Sequence, residues 1–388
     1  MTNLNYLIVL LEYDSVPFCL YEVPQKNGGS DRISREDLEN AVQFAVRNNL
    51  AINFIYGYQP LSPEFDEIIA AAEHVKIMPM QVCASYENPV IVIDPKRDMD
   101  NIDILAHKDL NNLIMRIGKE DLASLGALTQ RLAGNFKRLN IILKDPANFK
   151  NGDFQLYAKQ LDAIREILTG EYRRRNFIEI NVITDRIFLT NMNNCDAGTR
   201  HLTCGPNGRF YICPAFYYLD PGSHIGEINT RIDIKNSRLF ELRYAPICRR
   251  CDAWHCKRCV YLNMSLTTEI NTPSHEQCVL SHIEREASRK FLRDINHGNG
   301  RLGRIPKLKH RDPFERIAGR SGDDTQKDTY FADILSKPLI NVSKRDLVRQ
   351  IYNLDPEMII RLKEMNCSPV DLTGERLEPL QTYSIHES

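Results

Sequence analysis

Eight of the chain's eleven cysteines fall between Cys195 and Cys278, and this placement constrains the fold more than any other feature. Eight residues separate Cys195 from Cys204, and eight more separate Cys204 from Cys213. Cys248, Cys251, Cys256 and Cys259 follow as two Cys-x2-Cys pairs four residues apart, and Cys278 closes the set. Thiolates are soft ligands that select zinc, Cu(I) or iron–sulfur clusters. A structural zinc or an iron–sulfur cube takes about four of them. Eight cysteines therefore fill two four-ligand sites. Two cysteines separated by two residues can face one metal from a single tight turn. Buried structural thiols would suit a segment with more apolar periodicity than this one has. On spacing alone, zinc and iron–sulfur both remain open.

What cysteines mean depends on the compartment. The apolar run over residues 6–11 is short, has no basic residue before it, and is followed by Glu12 and Asp14. It reads as a buried strand and not as a signal peptide. No stretch approaches the roughly 18 apolar residues of a membrane span. The expectation is a cytoplasmic protein without a membrane partner, in a compartment where disulfides are rare. The net charge of −1 gives no global field for nucleic acid. With 388 residues, 43% of them hydrophobic, the chain has material for two or three folded domains.

The first half alternates strand-like and helix-like patterns. Strands are expected over 6–11, 51–56, 75–78, 90–93, 112–117, 139–143 and 178–183. Helices are expected over 36–47, 64–73, 123–136 and 153–169. Strands separated by helices imply βαβ units and a parallel sheet, here an open or partial α/β barrel over 1–190. The chain then changes character. Residues 191–290 are rich in Cys, Gly, Pro and aromatics, and Asn207-Gly208 before RFYI reads as a hairpin turn. Helix is expected over 283–294. The last segment, 291–388, carries a polar, basic stretch read as a linker and two helical patterns, 344–352 and 356–365.

The window resembles the SPASM domain, the auxiliary-cluster domain that follows the barrel in many radical SAM enzymes modifying peptides. The matching residues are Cys195, the Gly208-x4-Cys213 hairpin, the run Cys248, Cys251, Cys256 and Cys259, and Cys278, with IGEI at 225–228 where that family has a strand. The run is tighter here than is common there. The resemblance implies two 4Fe–4S clusters: one on Cys195, Cys204, Cys213 and Cys259, the other on Cys248, Cys251, Cys256 and Cys278. His255, His201, His224 and His275 read as surface residues rather than ligands, and Trp254 as a cover over the cysteine loops.

A radical SAM barrel also carries Cys-x3-Cys-x2-Cys after its first strand. This chain has only Cys19 there, and the next cysteine is Cys83. The segment IYGYQPL at 55–61 resembles the family's Gly-Gly-Glu-Pro motif with Tyr56 and Gln59 replacing a glycine and the glutamate. The fold can persist when site residues are lost, so the expectation is a barrel that does not bind S-adenosylmethionine. Cys19 and Cys83 read as small buried residues, and Cys367 as a surface thiol. The chain is most similar to the CXXX repeat peptide maturase family. That similarity implies a cysteine-rich precursor peptide as partner, and a partner maturase or electron donor if the chain does not catalyse alone. Two alternatives stand beside this reading. One is a zinc-stabilised binding module whose basic 301–311 stretch contacts RNA or an acidic peptide, although few aromatics interleave with that stretch. The other is a radical SAM enzyme with atypical cluster ligands.

Overall fold

A computed structural model describes residues 4–25, 31–101, 105, 110–188, 195–228, 230, 232–245, 248–251, 253 and 259–296. Strand β1 (Tyr6–Leu10) sets the two sides of its sheet by simple alternation. Leu7 and Val9 face one apolar layer, and Ile8 and Leu10 the other. From β1 the parallel order continues through β2 (Ala51–Ile55), β3 (His74–Pro79), β4 (Val90–Ile93), β5 (Leu110–Ile117), β6 (Phe136–Leu143) and β7 (Glu179–Ile180). On the other side of β1 lies β8 (His201–Cys204), also parallel to it. β9 (Arg209–Tyr211) pairs antiparallel with β8, and β10 (Gly226–Glu227) antiparallel with β9. The ten strands form an open sheet ending at β10 and β7, a partial α/β barrel. The cysteine-rich segment thus extends the same sheet through its first three strands.

The helices are α1 (Arg35–Arg47), α2 (Pro63–Ala70), α3 (Pro95–Asp98), α4 (Leu125–Leu132), α5 (Asn151–Arg173), α6 (Asn181–Phe188), α7 (Pro214–Leu219), α8 (Val260–Thr267) and α9 (His275–Asn296). The Ser34 side chain caps α1 by accepting from the Asp37 amide at 3.0 Å. Leu38, Ala41, Val42 and Ala45 form its buried stripe against the outer layer of the sheet. The inner layer is a smaller cluster of Ile8, Leu10, Ile55, Ile77, Val92 and Ile114 with residues from the loops above.

Two expected elements differ. The strand expected over 178–183 is two residues long, and the chain turns into α6 at Asn181. The Asn181 carboxamide accepts from the Ile141 amide at 2.9 Å and donates to the Ile141 carbonyl at 3.1 Å. It takes the ladder bonds that a longer β7 would need, and its oxygen also accepts from the Val182 amide at 2.8 Å. The helix expected over 123–136 ends at Leu132, because Phe136 already belongs to β6.

α9 packs along α5 and α6. At that junction the fully buried Arg186 donates to Glu284 at 2.8 Å, and the Tyr157 hydroxyl donates to the same carboxylate at 2.9 Å. Among the described residues no helix is long and apolar enough to cross a membrane. Trp254, His255, Cys256, Cys367, the basic 301–311 stretch and the helices expected over 344–352 and 356–365 lie outside the described residues.

Candidate metal centre

The loop after β1 folds down onto the inner face of the sheet. Ser15 Oγ donates to the Ile55 carbonyl at 2.9 Å, and the Val16 amide donates to the Tyr56 carbonyl at 2.8 Å. Val16 and Tyr21 are buried in the inner apolar cluster, and Phe18 and Cys19 pack against it. The buried Arg116 on β5 fixes this loop. Its guanidinium donates to the carbonyls of Cys19 (3.2 Å) and Tyr21 (2.8 Å) and pairs with Glu22 at 2.6 Å.

The hairpin of β8 and β9 brings the next cysteines. At its tip Gly208 has φ +69°, and a Cβ there would lie 2.6 Å from an Asp37 carboxylate oxygen. Only glycine meets both demands. The hairpin expected at Asn207-Gly208 is therefore present, and IGEI contributes β10. Cys213 follows β9 and opens α7; Cys259 opens α8. The two helices are neighbours through the edge-on rings of Phe216 and Tyr261, 6.3 Å apart.

Cys213 is buried in the inner apolar cluster, and Cys19 packs against the same cluster. Cys195 acts electrostatically on Cys19, Cys213 and Cys259, and Cys19 acts on both Cys213 and Cys259. Burial is the main cause that pushes the thiols up, to about 12 for Cys19, and the neighbouring sulfurs add to it. Backbone amides work in the opposite sense. At Cys19, Cys213 and Cys259 the nearby backbone N–H dipoles favour the thiolate and lower the pKa, against the larger effect of burial. Thiols within electrostatic reach of one another are donors of the soft type that an iron–sulfur cluster takes.

Among the described residues no group of three or more His, Cys, Asp or Glu side chains is placed to hold a metal ion.

Cys204 is not brought to this set. On β8, Leu202 and Cys204 face the outer layer, where Cys204 pairs across from Phe210. Cys213 lies in the inner cluster. The two therefore belong to different apolar layers. The Cys204 thiol donates to the Gly205 carbonyl at 3.6 Å, the behaviour of a protonated, structural cysteine. Spacing alone missed this, although the alternation of Leu202 and Cys204 carried the signal. Cys19, expected as a small buried residue, is half-buried and packs against the inner apolar cluster. Cys83 is buried in the outer layer, as expected.

Of the second expected set, Cys248 and Cys251 are buried in one turn, with the Cys251 amide donating to the Cys248 carbonyl at 3.1 Å. The Cys251 sulfur accepts from the Ala253 amide at 3.4 Å. Cys278 is half-buried on the first turns of α9, and Cys256 lies outside the described residues. Among the histidines, His201 is not a surface residue. It is buried and stacked on Tyr6 with ring centroids 4.8 Å apart. Tyr56 is buried against Tyr86, and Gln59 is exposed.

No family model and no curated protein matches the chain. Solved structures do. Native anSMEcpe with bound AdoMet and the Cp18Cys peptide is similar with a TM-score of 0.53 at 14% identity, covering 76% of this chain and 99% of that one. Native anSMEcpe with bound AdoMet and the Kp18Cys peptide gives 0.51 at 14% identity over the same shares. At this identity the likeness establishes a common fold.

Proposed function

We propose that the chain is an iron–sulfur maturation protein for a ribosomally made, cysteine-rich peptide, built as a barrel over 1–190 and a SPASM-like domain over 191–290. The observation that carries this reading is the placement of Cys213 and Cys259 at the starts of two neighbouring helices on a partial α/β barrel, within electrostatic reach of each other and of Cys195. The similar anSMEcpe structures hold a peptide on the same fold, which supports a peptide partner here. In this reading Cys248, Cys251, Cys256 and Cys278 hold a second 4Fe–4S cluster.

Bound clusters would supply electron transfer or a landing point for a substrate thiolate. The chain's own residues would set the environment. Tyr13, Tyr21, Tyr217 and Tyr218 wall the region around α7, with Tyr21 stacked on Tyr218 at 5.4 Å. The Tyr218 hydroxyl donates to the Tyr13 carbonyl at 2.8 Å and ties that wall to the β1 loop. Catalysis would then draw on a partner maturase or electron donor.

The same reading has the chain working without its own S-adenosylmethionine. Support comes from the β1 loop, whose Val16 and Tyr21 fill the inner face, and from Tyr56, which is committed to the outer layer. A second reading, a radical SAM enzyme with atypical ligands, draws support from the AdoMet held by the similar structures.

One experiment separates them. The protein is purified and reconstituted without oxygen, and iron, sulfide, zinc and electron paramagnetic resonance are measured with and without S-adenosylmethionine. Two cubes give about eight iron and eight sulfide per chain. Zinc without sulfide overturns the leading reading, and spectra perturbed by S-adenosylmethionine favour the second.

A further inference from the structure

An open cleft of about 930 Å³ lies at the end of the sheet where β1 and β8 begin. Leu4 and Asn5 ahead of β1, the turn over 198–200 ahead of β8 and the segment 232–243 border it. The loop with Cys19 leaves β1 at the opposite end of that strand. Resting on the maturation reading above for the kind of partner, we propose that this cleft is a docking site for a peptide segment in which apolar side chains alternate with Lys or Arg.

Three observations converge on it. The first is the floor. Leu4, Leu202, Ile232, Ile234 and Leu242 make it apolar. Its volume is at the upper end of the roughly 300–1,000 Å³ of small-molecule sites, and its open form suits a chain lying along it. The second is charge. Arg200 reaches Asp196 at 3.7 Å and Arg243 pairs with Glu241, so both guanidiniums are already matched against carboxylates. That disfavours a phosphate or an acidic ligand. Asp233 is exposed and has no ionic partner among the described residues, so the unmet charge in the cleft is one carboxylate. Asn5 and Ser237 add exposed neutral side chains of the kind that hydrogen-bond peptide groups. The third is the rim. Leu239 and Tyr244 are exposed beside the cleft-lining residues of the same segment, and Tyr244 lies under Arg238 at 5.7 Å and Arg243 at 5.0 Å. Tyr and Arg set against apolar surface are the residues that dominate binding hot spots. One wall ends at Asp196, directly after the exposed Cys195, so a peptide seated here lies at the edge of the cysteine window.

The test uses the full-length protein and short fluorescein-labelled synthetic peptides that alternate Leu–Lys, Leu–Glu or Ser–Lys, read by fluorescence anisotropy. The Leu–Lys peptide is expected to bind, and the other two to bind at least about tenfold more weakly. Asp233→Lys should weaken the Leu–Lys peptide by about tenfold or more, Asp233→Asn by less, and the same charge change on α2, Glu67→Lys, should leave it as in the wild type. A benzoylphenylalanine form of the Leu–Lys peptide should cross-link within 196–200 or 232–243, read by mass spectrometry. Equal binding of the Leu–Lys and Leu–Glu peptides overturns the proposal. So do unchanged affinity in Asp233→Lys and cross-links confined to other segments. Iron and sulfide are measured on the same preparation. Cluster-bearing protein that binds none of the peptides overturns the docking site alone, and protein without sulfide that still binds the Leu–Lys peptide at the cleft overturns the cluster reading alone.

Discussion

Arg116 Nε donates to the carbonyl oxygen of Cys19 at 3.2 Å, joining β5 to the loop after β1 across 97 positions of sequence. The same guanidinium holds the Tyr21 carbonyl. Replacing Arg116 with Met leaves both oxygens without this donor. The expected cost is about 1–3 kcal/mol, because buried acceptors lose their partner. Urea unfolding of the variant checks it, and a cost under about 0.5 kcal/mol would mean that the loop is held by packing alone.

The buried pair of Arg186 and Glu284 gives a second expectation. Glu284→Leu alone strands a guanidinium that is fully buried. This should destabilise by about 3–5 kcal/mol. The double variant Arg186→Met with Glu284→Leu should recover much of that loss, since it removes both charges. Denaturant midpoints of the two single variants and the double variant complete the cycle. A double variant no better than the single one would refute the account.

His201 makes stability depend on pH. Burial holds its folded-state pKa down, from an ordinary 6.5 to about 4. Below pH 6.5 the unfolded chain takes up a proton that the folded chain does not. Stability is therefore intact above 6.5, falls between 6.5 and about 4, and levels off below. The share due to this residue is about 3 kcal/mol across that window. His201→Phe keeps a ring against Tyr6 and should flatten that part of the profile. Thermal unfolding from pH 7 to pH 4 measures the difference, and parallel profiles for the two proteins would exclude His201 as the source.

At the hairpin tip, Gly208→Ala meets both a positive φ and the Asp37 carboxylate. A loss of about 1–3 kcal/mol is expected. Pairing it with Asp37→Ala should relieve the steric share but leave the backbone share. A neutral Gly208→Ala would show that the tip can relax.

Much of the barrel was legible because its signals are local. The apolar stripe of 36–47 gave α1, the run 90–93 gave β4, and Asn207-Gly208 gave the hairpin. The strand expected over 178–183 failed because a single side chain, Asn181, outbid the apolar pattern by taking the ladder bonds of Ile141. The spacing of the cysteines marked the window but not where each one lies, because spacing counts residues whereas the fold also assigns each one a side: Cys204 faces the outer layer and Cys213 the inner one. The packing of Cys19 on the inner cluster was not legible, because it is made by a distant loop folding onto the sheet and by Arg116.

The two ends of the sheet have a further consequence. β10 and β7 offer two residues each. A visiting strand that added to either edge would find at most one or two pairs of backbone bonds, too few to hold it. Short edges of this kind keep a ten-stranded sheet from templating its own aggregation. At these two edges, strand addition would therefore give a visiting peptide little backbone grip.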